Sequence, residues 1–114
     1  MISLETIRRM IQQLPGAIEG KSYGTAGFKV KKKLFARLHQ KEDAIVVVLN
    51  SVDEQQALMK KDPVIYYITK HYEGYPAVLV RPIIEEAEFF ELLEHAWRRV
   101  ASRSDIETFE SRQS

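Results

Sequence analysis

The sequence predicts an α+β fold, a two-layer sandwich in which a mostly antiparallel sheet of about five strands carries the N- and C-terminal helices on one face. Three observations lead there. Apolar residues recur at helical spacing near the two ends and in one central stretch, the segment from Ala17 to Leu49 alternates with a period of two, and tight turns separate the alternating runs.

Leu4, Ile7, Met10, Ile11 and Leu14 mark the first helix, with Ser3 placed to cap its free N–H groups and Pro15-Gly16 to stop it. Alternation then begins. Phe28 and Val30 alternate with Lys29 and Lys31, and Leu34, Ala36 and Leu38 with Phe35, Arg37 and His39, so two antiparallel strands are expected there. Ala44 to Leu49 is nearly all apolar and rich in valine, as a strand buried on both faces requires. Ser51 and Glu54 form a capping box that opens a short helix ending near Asp62-Pro63. Tyr66 to Thr69 and Ala77 to Arg81 read as two further strands around a turn at Tyr72 to Pro76, the first of them equally compatible with an irregular or helical turn. The last helix, about Glu85 to Ser102, places Phe89, Phe90, Leu93, Ala96, Trp97 and Val100 on one face and allows a Glu94–Arg98 pair one turn apart. Beyond Arg103 the chain is polar apart from Phe109, so residues 1–103 are expected to form a single domain and residues 104–114 a loose polar tail.

A chain of 114 residues has room for one core, and 45% hydrophobic with 29% charged residues is the composition of a folded domain. The absence of cysteine excludes disulfides, thiolate metal sites and a cysteine nucleophile, and fits a reducing compartment. Met1 to Glu5 reads as a helix start without the features of a signal peptide, and no apolar run approaches the roughly 20 residues of a membrane span, so a cytoplasmic location is expected. The net charge of +1 hides an uneven distribution. Between residues 21 and 41 lie Lys21, Lys29, Lys31, Lys32, Lys33, Arg37 and Lys41 with no Asp or Glu, whereas the segment after Glu85 is mainly acidic.

Several short motifs coincide in order and spacing: Leu14-Pro15-Gly16, Tyr23-Gly24, Phe28-Lys29-Val30, Lys33-Leu34-Phe35-Ala36, the run from His71 through Tyr72-Glu73-Gly74-Tyr75-Pro76 to Arg81, and Ala96-Trp97-Arg98. Together they resemble the MmcQ/YjbR family from about residue 1 to residue 103. This chain has Pro76-Ala77-Val78 where many relatives open the last strand with tryptophan. The resemblance implies a compact α+β fold similar to that of secretion chaperones. It also implies the "DNA-binding" label that the family carries for its double-winged appearance, and it supplies no set of catalytic residues.

Two constellations carry chemistry. The first is the basic hairpin of Lys29, Lys31, Lys32, Lys33 and Arg37 with Phe35 interleaved, and Lys41 beyond it. Two projecting cationic strands can follow a phosphate backbone. The same residues are equally read as a solvated turn over a core phenylalanine. If about five cations met phosphates, the log–log salt slope would be about −4 to −5 and the nonspecific affinity about 10 to 100 μM. No helix-turn-helix reader is visible, so any such binding is expected to be weak and directed at the backbone. The second constellation is Tyr23, His71, Tyr72, Tyr75 and Arg81, which could line a protein- or small-ligand-binding pocket on an open sheet face. Its alternative is a loop whose tyrosines pack at a rim.

No P-loop, dinucleotide fingerprint, nucleophile elbow or H-E-x-x-H motif occurs. Neither a catalytic set, a metal nor a cofactor is expected. The glutamates of the last helix read as a solvated face that complements the helix dipole, and Trp97 as a core residue.

Overall fold

Helix α1 (Leu4–Ile11) starts where the spacing places it: Ser3 Oγ accepts the Thr6 N–H at 3.1 Å, and Ile7, Met10 and Ile11 turn inward. The computed structural model describes residues 1–113. Strands β1 (Ala17–Ser22) and β2 (Thr25–Val30) are joined by Tyr23-Gly24, both with positive φ (54° and 79°), the pairing that matches the twist of a two-residue hairpin. Strand β3 (Lys33–Leu38) follows over the Lys31-Lys32 turn, and β4 (Ile45–Val48) over the loop at 39–44.

Helix α2 (Val52–Lys61) carries the expected cap, with Ser51 Oγ accepting the Glu54 N–H at 3.2 Å; the Glu54 carboxylate reaches back one residue further, to the Asn50 N–H at 2.7 Å. Strand β5 is only Tyr66–Tyr67; the rest of the predicted run, Ile68 and Thr69, is irregular and leads into a 3-10 turn at Lys70–Tyr72. Strand β6 (Ala77–Val80) and helix α3 (Glu86–Val100) come next. The segment expected to be a loose tail instead forms helix α4 (Arg103–Gln113), because Phe109 is buried against Trp97, ring centroids 5.2 Å apart.

The sheet has six strands rather than about five, in the order β1-β2-β3-β4-β6-β5, every neighbouring pair antiparallel. Alternate residues of its central strands, among them Phe28, Ala36, Val47 and Val78, meet Ile7, Phe89, Leu93 and Trp97 in one core on the helical side. Trp97 is fully buried there, its indole N–H donating to the Pro15 carbonyl at 2.9 Å.

One irregularity changes which side chains reach each face. Phe28 pairs with Ala36 but Lys29 with Leu34, so Phe35 is the extra residue of a β-bulge. Phe35 therefore joins Ala36 in the helical-side core, fully buried, and Leu34 turns to the opposite face. The alternation in the sequence had assigned both residues to the reverse sides.

Candidate functional site

The face of the sheet away from the helices is only partly open. Over β4, β5 and β6 the segment at 68–76 forms a roof, with Tyr72 buried on Ala44, Val46, Ala77 and Leu79. A buried glutamine holds that roof down. Gln55, on the inner side of α2 and wholly shielded from solvent, places its amide nitrogen against the carbonyls of Tyr72 (3.0 Å), Tyr75 (2.7 Å) and Ala77 (2.8 Å).

Beside this roof lies a groove of about 550 Å³ with an apolar floor that includes Leu34, Val46 and Val48. Its walls come from three places: Tyr23 on the first hairpin, Arg37 to Glu42 at the end of β3, and Thr69 to Tyr75 in the roof. Arg37 is the central group. Only 6% of it is exposed, yet its guanidinium donates solely to neutral acceptors: the Leu38 carbonyl (3.1 Å), Gln40 Oε1 (3.0 Å) and the Tyr72 phenol oxygen (2.7 Å). The Tyr23 ring covers it, with the guanidinium carbon 4.9 Å from the ring centroid. Among the described residues no carboxylate forms an ion pair with Arg37. Glu42, the acidic residue on the groove wall, instead accepts the Tyr67 phenol at 2.9 Å, and burial together with that bond pushes the Tyr67 hydroxyl up to about 12.

His39 adds a second polar group. Its Nδ1 accepts the backbone N–H groups of Lys41 and Glu42, both at 3.0 Å, so the neutral ring carries its proton on Nε2. Burial, then the nearby Arg37 charge, holds this imidazole below its ordinary value, outweighing the opposite pull of Glu42. His71 packs edge-on against Tyr72, centroids 4.8 Å apart, and Tyr75 lies 6.0 Å beyond Tyr72.

The groove thus unites two cations of the basic segment, Arg37 and Lys41, with four of the five residues expected in the ligand constellation: Tyr23, His71, Tyr72 and Tyr75. Arg81 does not join them. It stacks on Tyr67 at 4.0 Å in a separate hollow near Met1 and Pro82, because β6 passes beneath the roof and ends on its far side. The lysines of the basic hairpin do not converge on one surface either. Lys29, paired with Leu34, belongs to the groove face. Lys33, paired with Val30, borders Arg99 and Val100 on the helical side, while Lys31 and Lys32 stand exposed at the turn between them. Phe35 is core and unavailable to a ligand.

Sequence reasoning missed Gln55 and Leu34. A polar residue in register with Leu58 and Met59 on α2 was a legible sign for the first, whereas the bulge that turns Leu34 outward has no local marker. The glutamates of α3 also do more than face water. Glu88 accepts the Tyr66 phenol and lies 3.8 Å from Lys61, and Glu94 pairs with Arg98 at 2.8 Å as expected. Glu54, Lys61, Tyr66, Glu88 and His95 line one cleft between α2 and α3, and across it Glu54 meets His95 Nε2 at 2.7 Å. Among the described residues no three side chains gather to hold a metal, and no helix is long and apolar enough to cross a membrane.

The model of the YjbR family matches residues 12–99. Uncharacterized proteins of Mycobacterium tuberculosis and Mycobacterium bovis are 35% identical over 68 residues, which is 59% of this chain and 53% of theirs. The matched stretch spans about half the length of those curated relatives. A crystal structure of a Deinococcus radiodurans protein with the domain DUF419 superposes with a TM-score of 0.75 at 17% identity, covering 96% of this chain and 89% of that one. At that identity the likeness is one of fold.

Proposed function

The chain belongs to the YjbR family, and from that premise we propose that it is a recognition module which binds a small anionic ligand in the groove on the open sheet face, with Arg37 as the anchor. One observation carries the reading. Arg37 keeps a full charge almost out of water with only neutral acceptors around it, and desolvating an ion without a counter-charge costs several kcal/mol. A carboxylate or phosphate entering the groove offsets that cost and matches the planar guanidinium with two parallel hydrogen bonds. The neutral His39 supplies an Nε2–H donor close by, and Lys41 adds a second positive charge to the wall.

Inorganic phosphate and acetate are suitable probes. Either anion should shift the amide resonances of residues 23, 37–42 and 69–75, and Arg37→Gln, which keeps donors but not charge, should abolish the shifts while the rest of the spectrum stays native. If neither anion perturbs the wild-type groove at tens of millimolar, or if Arg37→Gln responds unchanged, the reading fails.

A second reading has one observation in its favour: among the described residues Lys29, Lys31, Lys32 and Lys33 have no ion-pair partner. Such cations can neutralise nucleic-acid phosphates without sequence preference. Because they spread around the hairpin, about three can meet one duplex at once, for a log–log salt slope of about −3. A Lys31, Lys32, Lys33 triple alanine variant that still binds duplex DNA with the wild-type slope would refute it.

A further inference from the structure

Tyr23 is a poor residue for its position on stability grounds alone. A non-glycine side chain with φ of 54° is strained, and the residue is left 76% exposed at a hairpin tip, where a small polar residue would serve the turn better. Tyr75 is likewise 52% exposed. Both line the groove, on either side of the Arg37–Tyr72 pair: Tyr23 against the guanidinium, Tyr75 beyond Tyr72. Large aromatic faces kept in water beside a buried cation have a common use, which is to take a flat partner.

We infer that the ligand is an anion carried on a planar ring, the anionic group on Arg37 and the ring against the exposed face of Tyr23 or Tyr75. Two chemical sources fit, an aromatic carboxylate and a nucleoside monophosphate. A groove of about 550 Å³ is of the size that encloses such molecules and far exceeds what a bare carboxylate or phosphate fills. The apolar floor of Leu34, Val46 and Val48 receives the ring edge, a surface that a free inorganic ion does not use. This inference rests on the anion-binding reading above and narrows it.

The test is a titration of the intact protein with two pairs of probes, benzoate against acetate and adenosine monophosphate against inorganic phosphate, in the wild type and in Tyr23→Ala, Tyr75→Ala and Arg37→Gln. The ring-bearing member of at least one pair should bind about tenfold more tightly than its ring-free partner. Tyr23→Ala or Tyr75→Ala should remove that advantage, bringing the ring-bearing and ring-free members of the pair to equal affinity, and Arg37→Gln should abolish all four. Which pair shows the advantage distinguishes the carboxylate from the phosphate source. Equal affinities within both pairs would overturn the planar-ligand inference and leave the anion site standing. No binding by any probe would remove both. Tyr23→Phe, which keeps the ring and loses only the hydroxyl, should behave as wild type, and its failure to do so would overturn the stacking role.

Discussion

The guanidinium of Arg37 donates to the phenol oxygen of Tyr72 at 2.7 Å, joining two stretches of chain 35 residues apart in the buried wall of the groove. The bond ties a sheet strand to the roof that lies across it. It is one of three hydrogen bonds to neutral oxygens that, with the Tyr23 ring, surround the charge without a counter-ion.

Removing the two partners should have unequal effects. Tyr72→Phe leaves the buried guanidinium one acceptor short and should lower stability by about 1.5–3 kcal/mol, as expected for a lost hydrogen bond to a charged group. Arg37→Met removes the desolvated charge while keeping most of the volume, and should lie within about 1 kcal/mol of the wild type. Urea unfolding curves of the two variants measure both, and a larger loss for Arg37→Met than for Tyr72→Phe would mean that the arginine is held for stability.

Gln55 sets the rigidity of the roof. Gln55→Leu strips three carbonyls, two of them in buried bonds, of their shared donor and should cost about 2–3 kcal/mol. Amide hydrogen exchange should accelerate at residues 70–77 more than in α3. Gln55→Glu, which turns a carboxylate toward those carbonyls, should be worse than Gln55→Leu. Uniform acceleration across the molecule would contradict a local anchoring role.

Among the described residues of helix α4, Phe109 is the one that is buried. Phe109 packs on Trp97 and under the Arg98 guanidinium, whose carbon is 5.5 Å from its ring centroid. Phe109→Ala should destabilise by about 3 kcal/mol. Trp97 is the one tryptophan in the chain, so its fluorescence should shift to the red as water reaches it. An unchanged emission maximum in the variant would show that α4 does not shield the indole.

The pH dependence follows from His39, faced by Arg37, Lys41, His71 and Glu42. Burial and then Arg37 depress its proton affinity in the folded state below the ordinary value of 6.5. The unfolded chain therefore takes up this proton first as pH falls. The contribution of the neutral imidazole is complete above pH 6.5 and is lost as pH drops through the depressed folded value. His39→Asn should flatten the stability profile across that acidic interval, seen as midpoints from urea unfolding at a series of pH values. If the variant keeps the wild-type slope, another group governs it. A bound anion opposes the same depression, so phosphate should protect the wild type more strongly at the acid end than above neutrality.

Much of the architecture was legible in the chain itself. Ser3 and Ser51 announced their helices through local capping chemistry, and the valine-rich run around Val46 declared a central strand. Four members of the groove were also named in advance from residue type: Tyr23, His71, Tyr72 and Tyr75. Those features depend on neighbours within a few residues, which a linear pattern records. The side on which Phe35 and Leu34 stand, the burial of Arg37, the anchoring by Gln55 and the folding of residues 103–113 were decided elsewhere. Each depends on a partner distant in sequence: β2 opposite the bulge, Tyr72 for Arg37, the carbonyls at 72, 75 and 77 for Gln55, and Trp97 for Phe109. Periodicity and propensity report the preferences of a segment, whereas register, burial and the convergence of charge exist only once separate segments share a surface.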